Sequence, residues 1–188
     1  MNNVYETCPV LENDKYLLRF VKKEDSDDLL EVYGDKNALP FFNSDNCHGD
    51  NFFYNTKELM DKAVDFWLYS YEQKYFVRWT IVDKASNKAI GTIEMFHREP
   101  DGSFGHVGLI RLDVGSKYEK AEELKSILEI IIPPAYELFD CDEIISKVPL
   151  YAVERAKAFS EYGFEKTDRL LIGGNDNYGY NCYWTIKK

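Results

Sequence analysis

Gly108-Leu-Ile-Arg-Leu-Asp-Val-Gly-Ser-Lys-Tyr-Glu-Lys-Ala-Glu-Glu-Leu-Lys-Ser-Ile-Leu128 reads as a buried strand that runs through a short polar turn into a helix. Leu109, Ile110, Leu112 and Val114 supply the strand, and Leu124, Ile127, Leu128 and Ile131 recur at the i, i+3, i+4, i+7 spacing of a helical face. Ser116 and Glu119 have capping-box spacing, which predicts the helix start. Free N–H groups at such a start attract anions, so a phosphate is the first ligand the geometry suggests. Glu119, Glu122 and Glu123 oppose it, because their charge already complements the helix dipole. Arg111 and Asp113 alternate onto one face of the strand, which predicts an ion pair or a polar site rather than plain core.

Working outward, Tyr16 to Val21 reads as a strand and Glu24 to Tyr33 as a helix closed by Gly34. Asp35 to Asn55 has no period, is rich in Asn, Asp and aromatics, and reads as a long loop of the kind that binds ligands or plugs a core rim. Asn55 and Glu58 open a second helix to about Gln73, with Leu59, Ala63, Phe66, Trp67 and Ser70 as its inward face. Phe76 to Val82 and Ala89 to Phe96 form a hairpin, Pro100-Asp-Gly102 a further turn, and His106 to Val114 the third strand of a meander.

Pro133 and Pro134 lack donors, so the helix after Ser116 is predicted to kink or restart there. Glu143 to Val148 then reads as a strand parallel to its predecessor. Tyr151 to Tyr162 reads as a helix stopped by Gly163, and Phe164 to Ile172 as a strand. After a turn at Gly173 to Asn177 comes a last strand with Tyr178, Tyr180, Cys182, Trp184 and Ile186 on one face.

The chain has 188 residues, of which 45% are apolar, enough for one globular domain over residues 1–188. Its 33 acidic and 23 basic side chains give a net charge of −10, which disfavours nucleic acid and anionic membranes as partners and suits an amine-bearing one. Cys8, Cys47, Cys141 and Cys182 form no C-x-x-C pair, so free thiols in a reducing cytoplasm are predicted. No apolar run reaches the roughly 18 residues of a membrane span. Asp45, Cys47, His48 and Asp50 lie close in sequence but lack a second ligand cluster, so no metal centre is predicted.

The order strand, two helices, three-strand meander, helix, strand, helix, two strands resembles the Gcn5-related N-acetyltransferase (GNAT) family, over nearly the whole chain. Trp79 to Ile93, with its Ile-Val-Asp and Ile-Gly-Thr-Ile segments, is similar to the family's hairpin, and Ala156-Lys-Ala-Phe-Ser-Glu-Tyr-Gly-Phe164 to its closing helix. The ribosomal-protein alanine acetyltransferase (RimJ/RimL-like) branch is the nearest in pattern. The resemblance implies an α+β sandwich-like fold: a mixed, mostly antiparallel sheet of about seven strands, flanked by helices and splayed between strands four and five. It also implies acetyl-CoA, or another acyl-CoA, as cosubstrate, and transfer of an acetyl group to a primary amine on a peptide, a protein N-terminus or a small molecule. A homodimer is compatible with it.

Mapped onto the family's cofactor site, the pantetheine strand corresponds to Leu112, Asp113 and Val114, and the pyrophosphate loop to Lys117, Glu119, Lys120, Ala121, Glu122, Glu123 and Leu124. Glu119 stands at the family's basic or Gln position, and Glu122 and Leu124 at its glycine positions. The base near the start of the fourth strand corresponds to His106, with Glu94 as second candidate. The acid position holds Phe159, leaving Tyr162, with Tyr151 nearby, as the available hydroxyl, while the usual Asn and Ser of that helix are Ala152 and Arg155. These departures support a second reading, a noncatalytic GNAT-fold binding protein that has lost the cofactor. A cleft that binds a peptide on splayed strand edges is a third.

Overall fold

A computed structural model describes residues 3–99 and 103–188, so the turn expected at Pro100-Asp-Gly102 lies outside the described residues. The sheet is built from β1 (Leu11–Glu12), β2 (Tyr16–Phe20), β3 (Val77–Asp83), β4 (Lys88–Arg98), β5 (Val107–Val114), β6 (Glu143–Lys147), β7 (Glu165–Lys166) and β10 (Tyr183–Lys187). Their order is β1-β2-β3-β4-β5-β6-β10-β7, and β8 (Leu171–Ile172) pairs with β9 (Gly179–Tyr180) in a separate ladder. Among the described residues only β5 and β6 pair in parallel, after the helical crossover. The mixed, mostly antiparallel sheet that the resemblance implies is thus observed, with eight strands among the described residues, since β1 adds a short edge to the seven expected.

Strand alternation divides the sheet into two faces. Val77, Trp79, Ile81, Ile93, Met95, Ile110, Leu112 and Val114 pack beneath α3 (Ala121–Leu138) and beside α4 (Val153–Tyr162). The other face meets α1 (Ser26–Tyr33) and α2 (Lys57–Glu72), whose Leu29, Val32, Tyr33, Met60, Val64 and Trp67 form a second apolar cluster. Gly91 permits the close approach of β4 to β5, since a Cβ there would come within 2.2 Å of the Asp113 carbonyl oxygen. Gly163 ends α4 at a φ of 117°, the left-handed stop expected of it.

Several local expectations are corrected. The α2 N-cap is Thr56, whose hydroxyl accepts from the Leu59 amide, rather than Asn55. Ala63, Trp67 and Ser70 are buried as expected, joined by Met60 and Val64, whereas Leu59 and Phe66 are exposed. Ser116 and Glu119 form no capping box, because Ser116–Tyr118 is a turn of 3-10 helix and α3 starts only at Ala121. α3 runs through Pro133 and Pro134 as one element, flanked by the buried Ile130, Ile131, Ile132 and Ala135. Packing here outweighs the two missing donors. The segment after Gly163 forms only the short β7 and β8, and the last strand is broken at Cys182, whose φ is 65°. That break puts Tyr183 fully inside, outside the alternation predicted for Tyr178 to Ile186.

Candidate functional site

Two places beside β5 gather buried charge. The first is the gap between β5 and β6. The strands pair from Val107 and Glu143 to Ile110 and Ser146, after which β5 continues to Val114 with no partner on that side. Such a gap leaves strand carbonyls open to a ligand. Here the chain itself fills it. Ser146 Oγ donates to the Ile110 carbonyl at 3.0 Å, and Arg155 Nη1, from α4, donates to the Leu112 carbonyl at 2.8 Å. The rest of the Arg155 guanidinium forms a fork with Glu119, Nε to Oε1 and Nη2 to Oε2, both at 2.7 Å. Arg155 is 1% exposed and Glu119 8%. Burial alone would lower the Arg155 pKa, but the Glu119 carboxylate outweighs it and holds the guanidinium above its ordinary value.

The turn that leads into α3 is equally occupied. The Ser116 N–H donates to Asp35 Oδ2 at 3.1 Å and the Ala121 N–H to Glu154 Oε2 at 2.9 Å, so side-chain carboxylates sit where an anionic ligand would bind. The N–H groups of Tyr118, Glu119 and Lys120 are spent on the Gly115, Ser116 and Tyr118 carbonyls. Lys117, Lys120 and Glu122 point to solvent, and Leu124 is core with no exposed surface. Glu123 is taken by Lys15 and by the Tyr16 hydroxyl. The residues present therefore do not fit a pyrophosphate or a pantetheine arm. The N–H groups of Ser116, Tyr118, Glu119, Lys120 and Ala121 are used, the Leu112 carbonyl is capped, and carboxylates hold the helix start.

The second place is on the opposite face of the sheet. Register sets Arg78, Glu94 and Arg111 side by side on β3, β4 and β5, and sets Thr80, Thr92 and Asp113 in the next row. Glu94 accepts from both arginines, through Oε2 from Arg78 and Oε1 from Arg111. Arg78 Nη1 also reaches the Tyr33 hydroxyl at 3.1 Å and Thr92 Oγ1 at 2.9 Å, and the Tyr33 hydroxyl bonds Asp113 Oδ2 at 3.0 Å. The expected polar face of Arg111 and Asp113 is thus real, though the carboxylate on Arg111 is Glu94. Burial would raise the Glu94 pKa, yet the Arg111 and Arg78 charges bring it below the usual carboxylate value. Asp113 moves the other way. Burial raises it, Arg78 and Arg155 offset that only in part, and its Oδ1 has no hydrogen-bond partner.

Over this row lies a chamber of about 270 Å³. Arg78, Glu94 and Arg111 floor it, and Phe52, Tyr54, Phe66, Trp67, Phe76 and Phe96 provide its aromatic walls. The Trp67 ring lies 4.0 Å from the Arg78 guanidinium carbon, close enough for a cation–π contact. The loop from Asn43 to Tyr54 shapes the mouth, so the aromatic segment expected to bind a ligand does face a cavity. Its Asp45 is no solvated ligand. The carboxylate pairs with Lys147 at 2.5 Å and accepts from the Tyr183 hydroxyl at 3.1 Å, while the Asp45 carbonyl accepts from Arg111 Nη2 at 2.8 Å. Asn46, His48 and Phe52 adopt left-handed φ of 59°, 54° and 63°, a cost that bulky Phe52 bears while lining the chamber.

The candidate acid–base residues do not converge on either place. His106 is exposed, 3.3 Å from His97, and alternation turns it to the sheet face opposite Glu94. Glu94 does line the chamber, but as an ion-paired carboxylate below its normal pKa it is a poor proton acceptor near neutrality. Tyr162 ends α4, about 10 Å along the helix axis from Arg155, and burial raises its pKa. Sequence reasoning missed Arg155, Glu154 and Asp35 as occupants of the cleft, and Arg78 as a chamber residue. An arginine at the helix position where the resemblance implies a serine was the available signal.

Comparison with protein-family profiles finds no match, and neither does comparison with curated proteins. Solved structures do match in fold. A GNAT-family acetyltransferase from Bacillus anthracis superposes with a TM-score of 0.67 at 13% identity, covering 95% of this chain and 98% of that one. The ribosomal-protein-S5-alanine acetyltransferase of Vibrio fischeri gives 0.63 at 16% identity, over 95% and 96%. A GCN5-related N-acetyltransferase from Brucella melitensis gives 0.65 at 13%, over 95% and 78%. The chain has the fold of the GNAT acetyltransferases, including ribosomal-protein acetyltransferases. Among the described residues no helix is long and apolar enough to cross a membrane.

Proposed function

We propose that this chain is a binding protein on the GNAT fold, one domain over residues 1–188, that takes a small molecule in the aromatic chamber and has given up the acetyl-CoA cleft. The observation that supports it is the self-occupied cleft, where Arg155 caps the Leu112 carbonyl and Glu154 and Asp35 hold the N–H groups of the α3 approach. A binding role needs no acid–base pair, in keeping with a locked Glu94 and a remote His106. The ligand has a flat apolar body for the Phe52, Trp67 and Phe96 walls and a polar end for the arginine row. The reducing cytoplasm is the proposed setting, in keeping with four free thiols.

A second reading, acetyl transfer from acetyl-CoA to a primary amine of a small molecule, a peptide or a protein N-terminus, is favoured by a fold shared with acetyltransferases along 95% of the chain. Fold similarity alone is a weak guide to chemistry. One assay separates the two. The protein is incubated with acetyl-CoA and a panel of amines that includes peptides with free N-termini, and released thiol is followed. The binding reading predicts no release above the uncatalysed rate, whereas enzyme-dependent release with any amine overturns it.

A further inference from the structure

Outside both places, His97, Glu99 and His106 bring three metal-ligating atoms together at the far end of the β4 and β5 hairpin. The strand register explains why. His97 lies opposite Gly108 and Arg98 opposite Val107, so one further step sets Glu99 against His106, with His97 two residues away on the same face. His97 Nε2 is 3.3 Å from His106 Nδ1 and 3.8 Å from Glu99 Oε1, and His106 Nδ1 is 3.6 Å from Glu99 Oε2. Ligands at about 2.1 Å from one ion in a tetrahedral arrangement lie about 3.4 Å apart, so these separations need only small side-chain adjustments to close on a cation.

An independent observation points the same way. His97 Nδ1 lies 2.7 Å from the Phe139 carbonyl, the C-cap of α3, and must donate to it. That bond fixes the tautomer whose Nε2 lone pair faces the cluster, the outer-shell arrangement typical of metal-bound histidines. We propose that His97, Glu99 and His106 form a site for a borderline divalent cation of the Zn²⁺ class, with water completing its coordination. Two imidazoles and one carboxylate select such an ion over Mg²⁺ or Ca²⁺, which require mostly oxygen ligands. The bound ion would tie the ends of β4 and β5 to the C-terminus of α3 through the Phe139 carbonyl. The sequence pattern pointed to no metal centre because the ligands come from two strands and meet only through their register.

The test is calorimetric titration of the full chain with Zn²⁺ alone, then with Mg²⁺. The expected result is one saturable Zn²⁺ site, no Mg²⁺ binding at the same concentrations, and affinity at least about tenfold weaker in His106→Ala and in His97→Gln. His106 is exposed, so its variant should stay folded, and circular dichroism checks the other. Co²⁺ absorbance that is present in the wild type and lost in His106→Ala would agree. Absence of Zn²⁺ saturation up to millimolar metal, or unchanged Zn²⁺ affinity in His106→Ala, overturns the site.

Discussion

The cleft beside β5 and the chamber beneath α2 are made from the same materials, buried arginines set against buried carboxylates, and they end in opposite states. In the cleft, Arg155 and Glu119 face each other as a two-pronged fork and Glu154 holds the first amide of α3, so the charges are used on one another. In the chamber, Arg78, Glu94 and Arg111 also pair with one another, but as a flat row along the sheet with open space above it, and the Nε of each arginine has no hydrogen-bond partner among the described residues. What separates them is where the arginine is anchored. Arg155 projects from a helix across a gap and plugs it, whereas Arg78 and Arg111 lie in neighbouring strands, which cannot close over themselves.

Removing the shared carboxylate of the row should have the largest effect. Glu94→Ala strands two buried guanidiniums and is expected to cost about 3–5 kcal/mol or more, measured by urea unfolding. A loss below about 1 kcal/mol would mean that water enters the row, and the contrast with the cleft would fail. Arg155→Ala should cost about 3 kcal/mol by leaving Glu119 buried and unpaired. The double change Arg155→Met with Glu119→Leu should cost less than the single one, since an apolar pair fills a sealed site about as well as an ion pair. If the double variant is worse than Arg155→Ala, the fork does more than fill space.

Acid should weaken the row through Glu94. The folded pKa of Glu94 is lowered, so its contribution is fully present above the ordinary carboxylate range and is lost as pH falls through the depressed value. Wild type should therefore exceed Glu94→Gln in stability at neutral pH, with the gap narrowing only in acid, as followed by denaturant midpoints across pH. A gap that widens in acid would contradict the assigned charge state. The smallest effect belongs to the chamber mouth. Phe66 is exposed, so Phe66→Ala should leave stability within about 0.5 kcal/mol while weakening any small molecule that stabilises the wild type in a thermal-shift screen. An unchanged ligand shift would place the ligand elsewhere.

The sequence made the fold legible because its signals are local. The Trp79 to Ile93 hairpin, the Tyr151 to Gly163 helix with its glycine stop, and the strand from Val107 to Val114 all carry periodicity or turn chemistry within a few residues. The site was legible only in outline. The loop from Phe41 to Tyr54 stood out by composition, but Arg78, Glu94 and Arg111 become neighbours only once two strand registers are fixed. Likewise Arg155 meets Glu119 at a sequence separation of 36, beyond the reach of any spacing rule. Ser116 and Glu119 had the right spacing for a cap, yet the 3-10 turn delayed the helix to Ala121, with Glu119 drawn into a tertiary ion pair instead.

Calorimetric titration of the wild-type protein with acetyl-CoA decides whether the chain's own charges close the cleft beside β5. Closure predicts no binding heat up to millimolar ligand, since a pyrophosphate would have to displace Glu154 and Asp35 from the N–H groups they hold and a pantetheine arm would have to displace Arg155 from the Leu112 carbonyl. One-to-one binding at submillimolar acetyl-CoA would contradict it.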